Sequence, residues 1–151
     1  MSQRDPIRVF VTHSFEESDD YMRVFEYLES SRNFYYRNCS ELDRRPAGSS
    51  QDALREELRR QIGPAEVVVA LSSLYATQPD LLIFQLNYAK ASDKPVVLLP
   101  YFGREQPELK ALQGLVDEKA GWDERALIDA CRHQARHEDT TRWDTIEFKL
   151  D

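Results

Sequence analysis

Asp80-Leu81-Leu82-Ile83-Phe84-Gln85-Leu86-Asn87-Tyr88-Ala89-Lys90, followed by Asp93-Lys94-Pro95-Val96-Val97-Leu98-Leu99-Pro100, reads as a helix that hands over to a buried strand. Pro79 suits the first turn of that helix, where a missing amide hydrogen removes no bond, and Leu82, Leu86 and Ala89 supply its inward face. Upstream, Glu66 to Leu71 contains Val67-Val68-Val69, a run too continuous for a half-exposed strand and therefore expected to be covered on both faces.

The same alternation extends outward in both directions. Ile7 to Thr12 is short, β-branched and aromatic, and the polar turn His13-Ser14 closes it as a first strand. Ser18 offers a cap to a helix with Tyr21, Phe25 and Leu28 on one face, ending near residues 30–33, and Phe34 to Cys39 reads as a less apolar second strand. Ser40 to Ser50, with Pro46 and Gly48, has no periodicity and reads as a surface loop. Leu54, Leu58 and Ile62 then mark a helix stopped by Gly63-Pro64. Beyond Leu99, Glu108 to Leu112 reads as a helical turn or two, Leu115-Val116 as a short fifth strand, and Ala126 to Arg136 as a closing helix with Leu127, Ala130 and Cys131 inward. In the polar tail, Trp143, Ile146 and Phe148 suggest docking back onto the domain. Strands alternating with helices predict an α/β fold, a parallel sheet with helices on both faces. Its ligand crevice lies beyond the carboxyl ends of the strands, at Thr12 to Phe15, Cys39 to Leu42 and Ser72 to Tyr75.

Bulk properties narrow the functional classes. The 151 residues bury one core, so a single domain is expected over 1–151, with its core at about 7–136 and a tail from 137. A net charge of −7, with acids and bases spread along the chain, gives no basic stripe for a nucleic acid. Cys39 and Cys131 stand alone, with no metal-ligand spacing, so neither a metal site nor a disulfide framework is indicated. The apolar runs are strand-sized, short of the roughly 20 residues of a membrane helix, and the N-terminus lacks an apolar leader segment, so the reading is cytoplasmic.

Several motifs in order carry a family likeness. Val11-Thr12-His13-Ser14-Phe15 matches a strand running into a Ser/Thr-His-Ser-aromatic turn, and Tyr21 a tyrosine on the first helix. Val67 to Leu71 with Tyr75 matches an apolar strand leading to a tyrosine. Gln85-Leu86-Asn87-Tyr88-Ala89 before Lys94-Pro95-Val96-Val97 matches a Glu-Ile-x-x-Ala segment before a Lys-Pro-Ile-Ile strand, and Gly121-Trp122-Asp123 a Gly-Trp-Asn turn. Across about Ile7 to Arg136 the chain resembles the TIR-like domains of the Thoeris antiphage system. The resemblance implies a flavodoxin-like sheet of about five parallel strands. It implies an NAD+ nucleosidase or ADP-ribosyl cyclase whose nucleotide product is read by a downstream effector, with NAD+ as substrate and no further cofactor. It also implies association into homo-oligomers through the loop after the second strand.

The chain departs from the family at Gln85, where the catalytic glutamate stands, and at Leu81, where an aromatic is usual. A carboxylate there stabilises the oxocarbenium-like transition state as nicotinamide leaves, and an amide keeps the shape without the charge. Either a native glutamate has been replaced to trap a complex, or the chain is a natural pseudoenzyme, or the motif aligns in another register. A plainer reading makes Gln85 a helix-surface residue. The substrate contacts implied are Thr12, His13, Ser14, Phe15, Cys39, Ser40, Ser72 and Tyr75. His13 is alternatively a turn histidine satisfied by backbone, and Ser14, Phe15, Tyr75 and Tyr88 are alternatively structural. Two other classes stay open: a non-catalytic assembly module using the Cys39 to Ser50 loop, and a deoxyribosyltransferase-like enzyme. A phosphorelay receiver is disfavoured, since Thr12-His13-Ser14 and Ser72-Ser73 stand where it needs carboxylates for Mg²⁺ and phosphate.

Overall fold

The computed structural model describes residues 1–48, 50–104 and 109–138. Five parallel strands, β1 (Ile7–Val11), β2 (Tyr36–Asn38), β3 (Val67–Leu71), β4 (Val96–Leu99) and β5 (Glu118–Lys119), form one sheet in the order β2-β1-β3-β4-β5. The α/β parallel-sheet expectation holds. The helices are α1 (Asp19–Glu29), α2 (Gln51–Ile62), α3 (Ser72–Thr77), α4 (Pro79–Ala91) and α5 (Glu124–Arg136). Right-handed crossovers put α2 and α4, which contact each other, on one face, and α1 and α5, likewise in contact, on the other.

Central position explains the composition of β3. All five of its residues are buried, because α4 and α5 both pack on it. Valine there suits both packed faces and the pleated backbone. Side-chain oxygens start the helices: Ser18 caps α1 as expected, and Ser50, the last residue of the expected surface loop, caps α2, each accepting an amide hydrogen from the first turn. Asp123 does the same for α5.

The sequence reading needs correction at several places. Leu115-Val116 is not a strand. Gly114, at φ +81°, turns the chain there, and Leu115 N donates back to Leu112 O at 3.0 Å. Pairing with β4 starts only at Asp117, whose own carboxylate accepts from Val96 N at 2.7 Å, so β5 begins at Glu118. The second strand is shorter than Phe34 to Cys39. The loop from Ser40 contains a 3₁₀ turn at Leu42–Arg44, and a separate helix, α3, follows β3 directly. Of the expected turn at Glu108 to Leu112, Lys110–Leu112 is 3₁₀, while Glu108 falls outside the described residues. The expected docking of Trp143, Ile146 and Phe148 also lies outside them.

At the amino ends of the strands one arginine ties three segments together. Arg136, at the end of α5, donates to both oxygens of Glu66 at 2.8 and 2.9 Å and to Asp5 at 2.8 Å. Glu66 also accepts from Arg8 N at 2.9 Å. The Arg136 guanidinium holds the Glu66 carboxyl below its usual range. A carboxylate with a lowered folded-state pKa adds stability above its unfolded value of about 4.3 and loses that contribution as pH falls through the folded value. Arg136→Met is therefore expected to destabilise by about 2 kcal/mol at pH 7 and by much less at pH 3, read as urea midpoints at the two pH values.

Candidate functional site

On α4, Leu82, Gln85, Leu86 and Ala89 form a single buried stripe with Gln85 fully inside it. The surface reading of Gln85 is thereby excluded. A buried primary amide is costly unless its donors and acceptors are matched. Here they are matched by the end of β1: Gln85 Oε1 accepts from His13 N at 3.1 Å, and Gln85 Nε2 donates to His13 O at 3.0 Å and to Leu81 O at 3.1 Å. The side chain grips the two polar groups of one residue's backbone, which also fixes which end of the amide carries oxygen.

A second glutamine holds the His13 side chain. Gln61, buried on α2, accepts from Glu41 N at 2.9 Å and donates to Glu41 O at 3.0 Å, so its own orientation is set by the backbone of the loop after β2. Its Oε1 lies 2.8 Å from His13 Nε2, which therefore carries the ring proton. The other ring nitrogen, Nδ1, accepts from Phe15 N at 3.0 Å. Burial holds the His13 imidazole below its ordinary pKa, and both ring nitrogens are committed to partners suited to the neutral form. Phe15, at φ +63°, sits edge-on to His13 with ring centroids 4.8 Å apart. A left-handed phenylalanine stores strain that the surrounding bonds hold in place.

The neighbouring strand ends are also saturated. Thr12 Oγ1 accepts from Leu71 N at 3.0 Å, joining β1 to β3. Ser40 Oγ meets Tyr21 Oη at 2.8 Å and donates to Asn38 Oδ1. Thr12, His13, Phe15 and Gln85 are thus one cluster, with Ser40 reached through Tyr21, whose ring lies 6.2 Å from His13. Ser14 is half-buried at the turn. Among the described residues no hydrogen bond joins the side chains of Cys39, Ser72 or Tyr75 to the cluster. Cys39 and Tyr75 pack partly buried against the core, as does Tyr88, and Ser72 lines a different space. Burial pushes the Cys39 thiol up and that of Cys131 up to about 12, so neither is a ready nucleophile.

That different space is a cavity of about 530 Å³ at the carboxyl ends of β4 and β5, walled by Leu98, Pro100, Leu112 and Val116 among others. Of the residues expected at a ligand crevice, Ser72 lines this cavity, whereas Thr12, His13 and Phe15 are buried in the His13 cluster. Gln61 and Asp20 escaped the sequence reading. Gln61 follows Leu54 and Leu58 by seven and three positions, on the same buried stripe, and this was the available signal. Asp20 anchors the loop after β4 by accepting from Phe102 N at 3.2 Å, and it pairs with Arg23 at 3.1 Å. Among the described residues no group of three or more His, Cys, Asp or Glu could hold a metal ion, and no helix is long and apolar enough to cross a membrane.

No protein-family model matches the chain, and no curated protein matches it in sequence.

Two outcomes follow from the saturated cluster. A histidine whose folded pKa is depressed leaves the unfolded chain binding more protons, so stability falls as pH drops below about 6.5 toward the folded value. His13→Asn should flatten the pH dependence of the urea midpoint between pH 7 and 5. Gln85→Glu would set a carboxylate oxygen where Nε2 now donates to two carbonyls, which favours the protonated acid. Its folded pKa is then raised, so the variant's deficit should be about 1–3 kcal/mol at pH 7.5, should shrink as pH falls through the raised folded value toward about 4.3, and should level off below that, measured by thermal and urea unfolding.

Proposed function

We propose that this protein is a TIR-like domain whose family catalytic position serves structure, and that the chain works as a non-catalytic association module in defence signalling. The observation that carries this reading is the Gln85 amide, fully buried and engaged in three hydrogen bonds to main-chain atoms of His13 and Leu81. A group that stabilises a sugar cation needs negative charge and a free face toward the substrate. Gln85 brings no charge, and its two donors are consumed by carbonyls.

The loop implied in association is held ready for docking. Gln61 grips both backbone polar groups of Glu41, and Glu41 pairs with Arg44 at 3.2 Å and Arg60 at 3.0 Å, which leaves Arg45 exposed. A preordered loop loses less entropy on docking than a floppy one. The charged pairs on its surface add little stability by themselves.

A second reading keeps the enzyme: with a carboxylate at position 85, the scaffold would cleave NAD+ to nicotinamide and an ADP-ribose-derived messenger. It is favoured by the placement of Gln85 directly against the Thr12 to Phe15 turn, the segment that the resemblance assigns to substrate. Chromatography of NAD+ incubated with the parent and Gln85→Glu proteins, each in concentrated and dilute form, separates the two. The association reading expects no nicotinamide from either protein. It also expects light scattering to show concentration-dependent assembly that Arg45→Glu weakens. Nicotinamide release by Gln85→Glu, or assembly indifferent to Arg45, overturns it.

A further inference from the structure

Among the described residues, the face of the sheet that carries α2 and α4 has no α-helix at its β5 end. Each right-handed crossover on that face lays a helix over the strands it joins, but in the described part of the β4–β5 connection the helical content is the single 3₁₀ turn Lys110–Leu112. The outer side of Leu98 on β4 is consequently only partly covered. The 530 Å³ cavity lies against this part of the sheet, lined by Leu98 of β4 and by residues of the β4–β5 connection. Its volume falls within the roughly 300–1,000 Å³ of small-molecule sites.

The lining specifies the ligand. Leu98, Leu109, Leu112 and Val116 make an apolar wall, while Ser72 and Gln113 bring a hydroxyl and an amide. The charged lining groups already have partners. Asp117 binds Lys90 at 2.6 Å and Val96 N at 2.7 Å, and Glu118 accepts from Gln134 on α5 at 2.9 Å. Lys119, the one cation among the described lining residues, also has a partner. One cation beside two carboxylates gives no seat for a phosphate or diphosphate. Asp117 is neutralised by Lys90 and Glu118 is engaged by the Gln134 amide, and among the described residues no cluster of three or more His, Cys, Asp or Glu offers a seat for a cation. The apolar wall with a few polar points suits a flat, uncharged ring system with hydrogen-bonding edges.

We propose that this cavity binds a small uncharged heteroaromatic molecule of nucleoside size, at a place separate from the His13 cluster. The inference stands whether or not the chain ever processes NAD+. Adenosine is the probe, titrated into the full chain by calorimetry and by amide NMR, with AMP and ADP-ribose as charged counterparts. Adenosine should bind saturably and shift amides of residues 112–121, and each charged counterpart should bind at least about tenfold more weakly. Gly121 lies at the cavity wall, has no left-handed φ, and a Cβ added there meets nothing within 4 Å. Gly121→Phe should therefore fold normally by circular dichroism and lose adenosine binding. Leu98→Trp provides an independent block from the strand side. The proposal is overturned if adenosine fails to bind the parent protein, if AMP or ADP-ribose binds more tightly than adenosine, or if a folded blocking variant binds as the parent does.

Discussion

A single residue just past the end of β1, His13, is held from two helices at once, and the arrangement of the carboxyl rim depends on it. Gln85 on α4 takes the His13 main chain, and Gln61 on α2 takes its side chain. Because Gln61 is itself oriented by the backbone of Glu41, the polarity of the whole chain of bonds is fixed from the β2–α2 loop through to the Phe15 amide. Buried polar groups satisfied in this way cost little, whereas a network left half satisfied is worse than an apolar core. Every member is therefore constrained by the others, and a change of charge at one point disturbs all of them.

Much of the architecture was readable from the chain because its strongest elements obey simple periodicities. The continuous valines of β3, the Pro79 start of α4 and the serine caps of α1 and α2 all speak locally. The misreadings share one physical origin, a tertiary group replacing a local preference. Leu115-Val116 has strand composition, yet a glycine turn and the Asp117 side chain move the pairing onward to two charged residues. No propensity argument anticipates a carboxylate standing in for a backbone carbonyl.

The candidate site was legible in its members more than in its meaning. The Thr12 to Phe15 turn and position 85 do come together across 72 residues of sequence. Two glutamines on otherwise apolar helix stripes were the legible hint that amides, and not surface side chains, stood there. The location of the open space was not legible, since it follows from a helix that the β4–β5 connection lacks in its described part. Absent volume leaves no motif.

Among the described residues, the sheet also has short border strands. β2 contributes three residues at one margin and β5 two at the other, with Lys119 in the outermost position. An exposed strand recruits foreign chains in proportion to its free, flat hydrogen-bonding length. With so little of it on either side, lateral polymerisation through backbone ladders is disfavoured. Any backbone ladder that a second chain could build on these two strands is correspondingly short.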